Sequence, residues 1–156
     1  MTENEIGKVV VDAALKVHRE LGPGLLETVY EVVLARELER RGLQVERQVP
    51  VAIVYEGLRF EEGFRADIIV EGKVILELKS VEQIGKVHAK QVLTYLKLKG
   101  LKLGFVLNFG ANLMKEGIER VVRGLSEQNL GVLASWRETQ PDFEPGGAAD
   151  AAPPHR

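Results

Sequence analysis

Two acids and a lysine in neighbouring apolar segments are the residues best suited to chemistry in this chain. Asp67 begins one apolar run, and Glu77 and Lys79 close the next. The turn signal Glu71-Gly72 lies between the two runs. Charged residues are depleted among Ile, Leu and Val because burying an unpaired carboxylate costs several kcal/mol. The three residues therefore suggest a divalent cation with an activated water, which is what phosphodiester hydrolysis requires.

The register of this predicted hairpin decides whether the two acids can share an ion. Side chains alternate across a strand, so Glu77 and Lys79 share one face. Asp67 stands beside Glu77 only if the two are paired neighbours, which requires the three-residue connection Glu71-Gly72-Lys73. A two-residue turn would put the acids on opposite faces, because a one-residue slip turns a whole strand over. A solvated Glu77–Lys79 ion pair remains the alternative interpretation.

The elements that position these residues follow from hydrophobic periodicity and turn signals. The predicted helices span residues 5–20 (capped by Asn4), 25–41, 86–99 and 126–137. The predicted strands span residues 44–55, 58–62, 65–71, 73–80 and 103–108, and residues 117–122 fit either a strand or a helical turn. This order predicts one α/β domain over residues 1–137, with a mixed sheet flanked by helices. The composition of residues 138–156 is typical of a disordered tail.

Two helices carry further polar candidates. Glu27, in the first turn of the second helix, lies toward the apolar face, unlike Glu31, Glu37 and Glu39. On the third helix the apolar positions Val87, Val92, Leu93 and Leu96 are expected to face the core, whereas His88 and Gln91 share a polar stripe with Tyr95, which could also face the core. Each residue alone also fits an ordinary helix-dipole acid or boundary position. Beside an acidic hairpin, they become candidates for a site.

Composition limits the cofactors and the partners. The 156 residues include no cysteine, so disulfides and thiolate metal sites are excluded, and carboxylates favour Mg²⁺ or Mn²⁺ over zinc. The net charge is −2, but no acid lies between Glu82 and Glu116, a segment with six lysines. Such a segment could follow a phosphate backbone or form a solvated helix face. No signal peptide or membrane span is visible, which predicts a soluble cytoplasmic protein.

The residues also resemble a known family. The run 21–30, Leu-Gly-Pro-Gly-Leu-Leu-Glu-Thr-Val-Tyr, is similar to the signature of the GxxExxY proteins, with Gly24, Glu27 and Tyr30 at the named positions. The similarity continues through the runs 65–67, 77–79, 88–95 and 104–109. That family resembles a compact branch of the PD-(D/E)XK nuclease superfamily. The resemblance implies a restriction-endonuclease-like core, a divalent-cation site and a DNA-directed activity.

The resemblance also implies roles for individual residues. Asp67 matches the first acid of the superfamily, Glu77-Leu78-Lys79 matches its (D/E)-X-K motif, and alanine rather than proline precedes Asp67. Glu27 matches a helix-borne acid that completes the metal shell in some branches. The implied metal ligands are Glu27, Asp67, Glu77 and the Leu78 carbonyl. Lys79 would position the water, while Gln91 and Tyr95, which match a Q-x-x-x-Y motif, would brace Lys79 or a phosphate oxygen. Candidate phosphate or nucleic-acid contacts are Arg65, Lys86, His88 and Lys90.

The preferred hypothesis is a Mg²⁺- or Mn²⁺-dependent hydrolase of phosphodiester bonds, in DNA rather than RNA. The alternative is a nuclease-fold protein that does not cut and instead binds a phosphate-containing ligand or a protein partner. The acidic net charge and the small size favour that alternative. A purely structural subunit with apolar self-contacts, in a homo-oligomer, is a third hypothesis.

Overall fold

The computed structural model describes residues 1–125 of the chain. In chain order the elements are α1 (Glu3–Leu21), α2 (Glu27–Arg40), β1 (Val45–Tyr55), β2 (Leu58–Val70), β3 (Val74–Lys79), α3 (Lys86–Lys99), β4 (Leu103–Asn108), a short 3-10 helix (Met114–Glu116) and β5 (Ile118–Val122). The undecided segment 117–122 is therefore mostly strand. The two short strands predicted over 58–62 and 65–71 are one strand, β2, because its pairing with β1 continues from Leu58 to Val70. The predicted helix 126–137 and the tail 138–156 lie outside the described residues.

The five strands form one mixed sheet in the order β1-β2-β3-β4-β5. β3 and β4 are parallel, and the other neighbouring pairs are antiparallel. A parallel pair needs a crossover, and α3 supplies it. β1 lies at an edge of the sheet, which explains how Pro50 is accommodated within a strand. The predicted α/β fold with a mixed sheet flanked by helices is confirmed.

Two apolar layers cover the faces of the sheet. On one face, α1 and α2 pack against residues such as Leu76 and Phe105. On the other face, α3 packs against residues such as Ile75 and Val106. Alternation along β3 therefore directs Leu76 and Leu78 toward α1 and α2, and it directs Glu77 and Lys79 toward the α3 side.

The third helix buries a narrower stripe than its apolar residues predict. Ala89, Val92 and Leu96 are its buried residues. Val87 is 60% exposed and Leu93 is 40% exposed, so their predicted core positions are wrong. At 100° per residue, Val87 lies on the side of the helix opposite the buried stripe, and Leu93 lies on its flank. The sheet covers only one side of α3.

The start of α1 also differs from the prediction. Thr2, not Asn4, caps the helix: its hydroxyl accepts from the Glu5 N–H at 3.2 Å, and the Glu5 carboxylate accepts from the Thr2 N–H at 2.8 Å. This is a capping box, whose Thr-x-x-Glu spacing is present in the sequence. Asn4 is buried within the first turn. Among residues 1–125, no helix is long and apolar enough to cross a membrane.

Candidate functional site

The β2–β3 hairpin has the three-residue connection that the proximity of the two acids requires. Val70 pairs with Val74, so residues 71–73 form the loop. Glu71 and Gly72 have φ values of 54° and 63°. Glycine adopts this left-handed conformation readily, and glutamate does so at some cost.

The same register brings Asp67 to the end of β3. Backbone pairing stops at Ile68 and Leu76, and continuing it by one pair would place Asp67 opposite Glu77. The Asp67 carboxylate instead accepts a hydrogen bond from the Leu78 N–H, with 2.9 Å between Oδ2 and N. This side chain therefore satisfies a β3 amide at the point where β2 and β3 separate.

Burial and the proximity of other negative charges raise the pKa values of Asp67 and Glu77. Glu77 is 8% exposed, and its Oε1 has no hydrogen-bond partner in the described part of the chain. Burial, and then the charge of Asp67, raise the pKa of Glu77 to about 8, against the opposing effect of Lys79. Burial also raises the pKa of Asp67, although the hydrogen bond from Leu78 opposes the shift. A buried carboxylate coupled to a half-buried one favours a shared proton or a bound cation.

Helix α2 brings two further acids to this site. The charges of Glu27 and Glu31 raise the pKa of both Asp67 and Glu77. Glu27 is exposed and is the first residue of the helix. Glu31 is only 4% exposed, so the sequence-based assignment of Glu31 to the polar side is wrong. Its spacing of four residues from Glu27 was the available signal, because positions i and i+4 share a helix face.

The loop that precedes Glu27 is held by Tyr30 and Ser80. The Tyr30 hydroxyl donates to the Gly22 carbonyl at 2.6 Å and accepts from the Leu25 N–H at 3.0 Å. The Tyr30 ring stacks on Phe109 with 4.6 Å between ring centroids. The Ser80 hydroxyl donates to the Leu25 carbonyl at 2.6 Å. Because Ser80 directly follows Lys79, this bond ties the start of α2 to the end of β3.

Tyr30→Phe is expected to destabilise the fold by about 1–3 kcal/mol, because the Gly22 carbonyl and the Leu25 N–H, in part-buried hydrogen bonds, lose their partner. The Tyr30 side chain is fully buried, so water does not easily replace the hydroxyl. Urea unfolding followed by circular dichroism measures the change. Tyr55→Phe is the matched control, since Tyr55 is 63% exposed and its hydroxyl should contribute little. Equal stabilities of the two variants would contradict this role of Tyr30.

Of the three polar-stripe residues of α3, Tyr95 and His88 are half-buried near the acids, whereas Gln91 is exposed. Tyr95 stacks on Phe64 with centroids 3.9 Å apart, and burial, then Glu77 and Asp67, raise its pKa. His88 is half-buried, and burial, then Lys79, lower its pKa, while Glu27 opposes the shift. Both residues therefore lie within electrostatic reach of the acids. Gln91 is exposed, and its predicted role stays a prediction.

The remaining predicted residues occupy the rim of the site. Lys79 is half-buried, and Lys86 and Lys90 are exposed in the first turns of α3. Arg65 is exposed and bound by Glu62 in a two-pronged contact of 2.7 and 2.9 Å. Leu78 is buried, with its N–H directed to Asp67. The predicted phosphate contacts and the metal-binding Leu78 carbonyl stay predictions.

The donor chemistry at this site fits a hard divalent cation. Asp67 and Glu77 offer carboxylate oxygens, and the unpartnered Glu77 Oε1 is an oxygen that an ion could satisfy. Mg²⁺ commonly uses one or two carboxylates and keeps several waters or substrate oxygens. Within residues 1–125, no group of three or more His, Asp or Glu side chains is arranged to hold an ion by itself. Water and phosphate oxygens would have to complete the shell.

One of the comparisons with known proteins identifies a family for this chain. The family model of the PD-(D/E)XK nuclease superfamily matches residues 4–121. The crystal structure of SSO0001 is similar with a TM-score of 0.39 and 16% sequence identity, over 90% of this chain and 77% of that chain. A likeness at this level says nothing about activity, and the comparison with curated proteins gives no match. Because the family model spans the three helices and nearly the whole sheet, the chain belongs to the PD-(D/E)XK nuclease superfamily.

Proposed function

We propose that this protein is a Mg²⁺- or Mn²⁺-dependent nuclease that hydrolyses phosphodiester bonds in DNA. The observation that carries the proposal is the pair Asp67 and Glu77, two partly or fully buried acids with raised pKa values beside Lys79. Membership of a nuclease superfamily supports nuclease-like chemistry in general. The choice of DNA and of the ion goes beyond that membership.

The residues divide the proposed work between binding and chemistry. Asp67, Glu77 and the Leu78 carbonyl would hold the ion, with Glu27 approaching from α2. When bound, the ion supplies charge neutralisation at the phosphate and lowers the pKa of a water. The Lys79 ammonium would orient the attacking water and stabilise charge on phosphate oxygens, and its lowering of the pKa of both Asp67 and Glu77 supports this role.

Helix α3 would shape the substrate side of the site. The stack on Phe64 limits the orientation of the Tyr95 ring, and we infer that its hydroxyl would brace Lys79 or a phosphate oxygen. Gln91 would serve the same purpose from the exposed side of the helix. Lys86, His88 and Lys90 follow the start of α3, whose first turn contains no acid, and they would contact phosphates together with Arg65.

A cleavage assay tests the proposal. Wild-type protein with Mn²⁺ is offered linear, nicked and single-stranded DNA, with RNA for comparison. Cleavage of DNA should fall at least about 100-fold in Asp67→Ala and Lys79→Ala, because each change removes a charge needed in the transition state. Lys99→Ala, at the far end of α3, is the matched control and should cleave normally. Inactive wild-type protein, or unchanged cleavage by the two site variants, would count against the proposal.

A second candidate is a nuclease-fold protein that binds a phosphate-containing ligand or a protein partner without cutting. The net charge of −2 and the engagement of Arg65 by Glu62 favour it, since both weaken attraction to a polyanion. Thermal shifts with Mn²⁺ and a DNA-binding titration separate the candidates. Metal binding without DNA affinity would point to another phosphate substrate, and the absence of both would point to an interaction protein.

A further inference from the structure

Strand β2 changes faces at Asp67. Phe64 and Ala66 belong to the apolar layer on the α3 side of the sheet, whereas Ile68 and Val70 belong to the layer under α1 and α2. In a regular strand these four even-numbered positions would share one face. The alternation is therefore interrupted between residues 66 and 68.

Strand β1 is interrupted at the same level. Val45 packs against the α1–α2 layer, and Val49, four residues later, packs against the α3 layer. Gln48 lies between the pairs Arg47–Ile68 and Val49–Ala66, directly across from Asp67 in this register. Its φ is +53°, a left-handed conformation that a side chain with a Cβ atom disfavours. Such a backbone persists only when its surroundings hold it in place.

Glu31 holds both residues at this interruption. Its Oε1 accepts from the Gln48 side-chain amide at 2.7 Å, and its Oε2 accepts from the Arg47 guanidinium at 2.9 Å. The Glu31 carboxylate is sheltered, with 4% of the residue exposed, whereas Arg47 and Gln48 reach it from the surface in part-buried hydrogen bonds. Arg47 also neutralises its charge, which allows the carboxylate to be buried without an ion.

We propose that Glu31 is a positioning residue: by fixing Arg47 and Gln48, it holds the point where the β1–β2 hairpin changes faces and directs the Asp67 carboxylate to the end of β3. The part of this inference that concerns metal binding rests on the proposed function. The part that concerns the Asp67–Leu78 hydrogen bond does not. Glu31 itself would bind no ion, because both of its carboxylate oxygens accept hydrogen bonds from β1.

Hydrogen exchange at one amide tests the inference without metal. The Leu78 N–H is bonded to the Asp67 side chain, so its exchange rate, measured by NMR, reports the position of that carboxylate. Glu31→Ala should accelerate Leu78 exchange at least about tenfold under conditions where the fold is intact. Glu37→Gln is the matched control, since Glu37 lies on the same helix, is 9% exposed and is paired with Lys16 and Arg41. It should leave Leu78 exchange unchanged.

Two further variants protect the test against misfolding. Glu31→Gln keeps the size of the side chain but removes the negative charge that pairs with Arg47. Gln48→Ala removes the side-chain amide that donates a hydrogen bond to Glu31. Both should accelerate Leu78 exchange. Wild-type exchange in these variants and in Glu31→Ala would overturn the inference.

Metal affinity distinguishes a positioning residue from a ligand. Calorimetry with Mn²⁺ should show about 10–100-fold weaker binding in Glu31→Ala, the effect expected when a ligand loses its support. Adding Gln48→Gly to Glu31→Ala should restore most of the lost Mn²⁺ affinity, because glycine adopts the left-handed conformation without a hydrogen bond from its side chain to Glu31. A lost ligand would not be rescued in this way, so failure of the rescue would overturn the positioning role. If wild-type protein binds no Mn²⁺, the proposed function fails, and the Leu78 exchange still decides the role of Glu31.

Discussion

Glu77→Gln is expected to stabilise the metal-free protein by roughly 3–5 kcal/mol at pH 8 and above. The pKa of Glu77 rises from 4.5 to about 8 on folding, and each pKa unit corresponds to about 1.4 kcal/mol. Because the pKa of Glu77 is raised in the folded state, folding favours the protonated carboxyl. The contribution of this protonated group to the free energy of unfolding is fully present below pH 4.5 and is lost as the pH rises toward 8. The wild-type protein should therefore lose stability over this range, and the variant should lose much less. Urea unfolding at several pH values measures the difference.

Manganese should reverse the behaviour of the wild-type protein. An ion bound beside Glu77 would replace the proton, so Mn²⁺ should stabilise wild-type protein at pH 8 and have little effect on Glu77→Gln. Glu119→Gln is the matched control, because burial also raises the pKa of Glu119 and this acid lies on β5. That control should retain the response to Mn²⁺. Parallel pH profiles for wild type and Glu77→Gln would contradict the buried, charge-coupled environment described here.

Lys79→Met is expected to lower the cleavage rate at least about 100-fold while leaving Mn²⁺ affinity unchanged or increased. Methionine keeps an unbranched apolar stem but removes the ammonium that would stabilise the transition state. The same ammonium opposes a cation near Asp67 and Glu77, so its loss should not weaken metal binding. Single-turnover cleavage at saturating DNA, together with calorimetry, separates the two effects.

The effects of Lys79→Met on cleavage and on Mn²⁺ affinity are to be compared with those of Asp67→Asn. Asp67 would bind the ion, so this variant should lose both cleavage and most of the Mn²⁺ affinity. Lys99→Met is the control for the loss of a lysine side chain. Lys99 lies on α3, outside the site, so this variant should change the cleavage rate less than about twofold. If Lys79→Met loses metal affinity to the same extent as Asp67→Asn, then Lys79 supports the structure of the site and does not act in the chemical step.

Local patterns in the sequence predicted most of the chain order, although β2 was expected as two strands and residues 117–122 fitted either a strand or a helical turn. The apolar periodicity placed α3 at residues 86–99, as observed. The hypothesis of an ion shared by Asp67 and Glu77 required a three-residue loop, and the pairing of Val70 with Val74 provides it. Side-chain period and turn length act over a few residues, so they can be read directly from the chain.

Burial depended on contacts between distant segments. Val87 and Leu93 have the same apolar character as Val92, but the sheet reaches only one side of α3. Residues 117–122 became a strand because β4 offers an edge with which β5 pairs. A helical period can identify an apolar face, but the covering of that face is a property of the assembled core.

The hydrogen bonds around the acids also depend on contacts between distant segments. Glu31 looks like one of several surface glutamates until Arg47 and Gln48, from β1, are brought against it. The face change at Asp67 requires two strands to break their alternation at the same level. The sequence by itself determined which residues could do chemistry and which hairpin register a shared ion would require. Only the tertiary structure decided what holds them in place, because the hydrogen bonds of Glu31 with Arg47 and of Ser80 with Leu25 join residues 16 and 55 positions apart, in segments whose relative arrangement local sequence patterns do not fix.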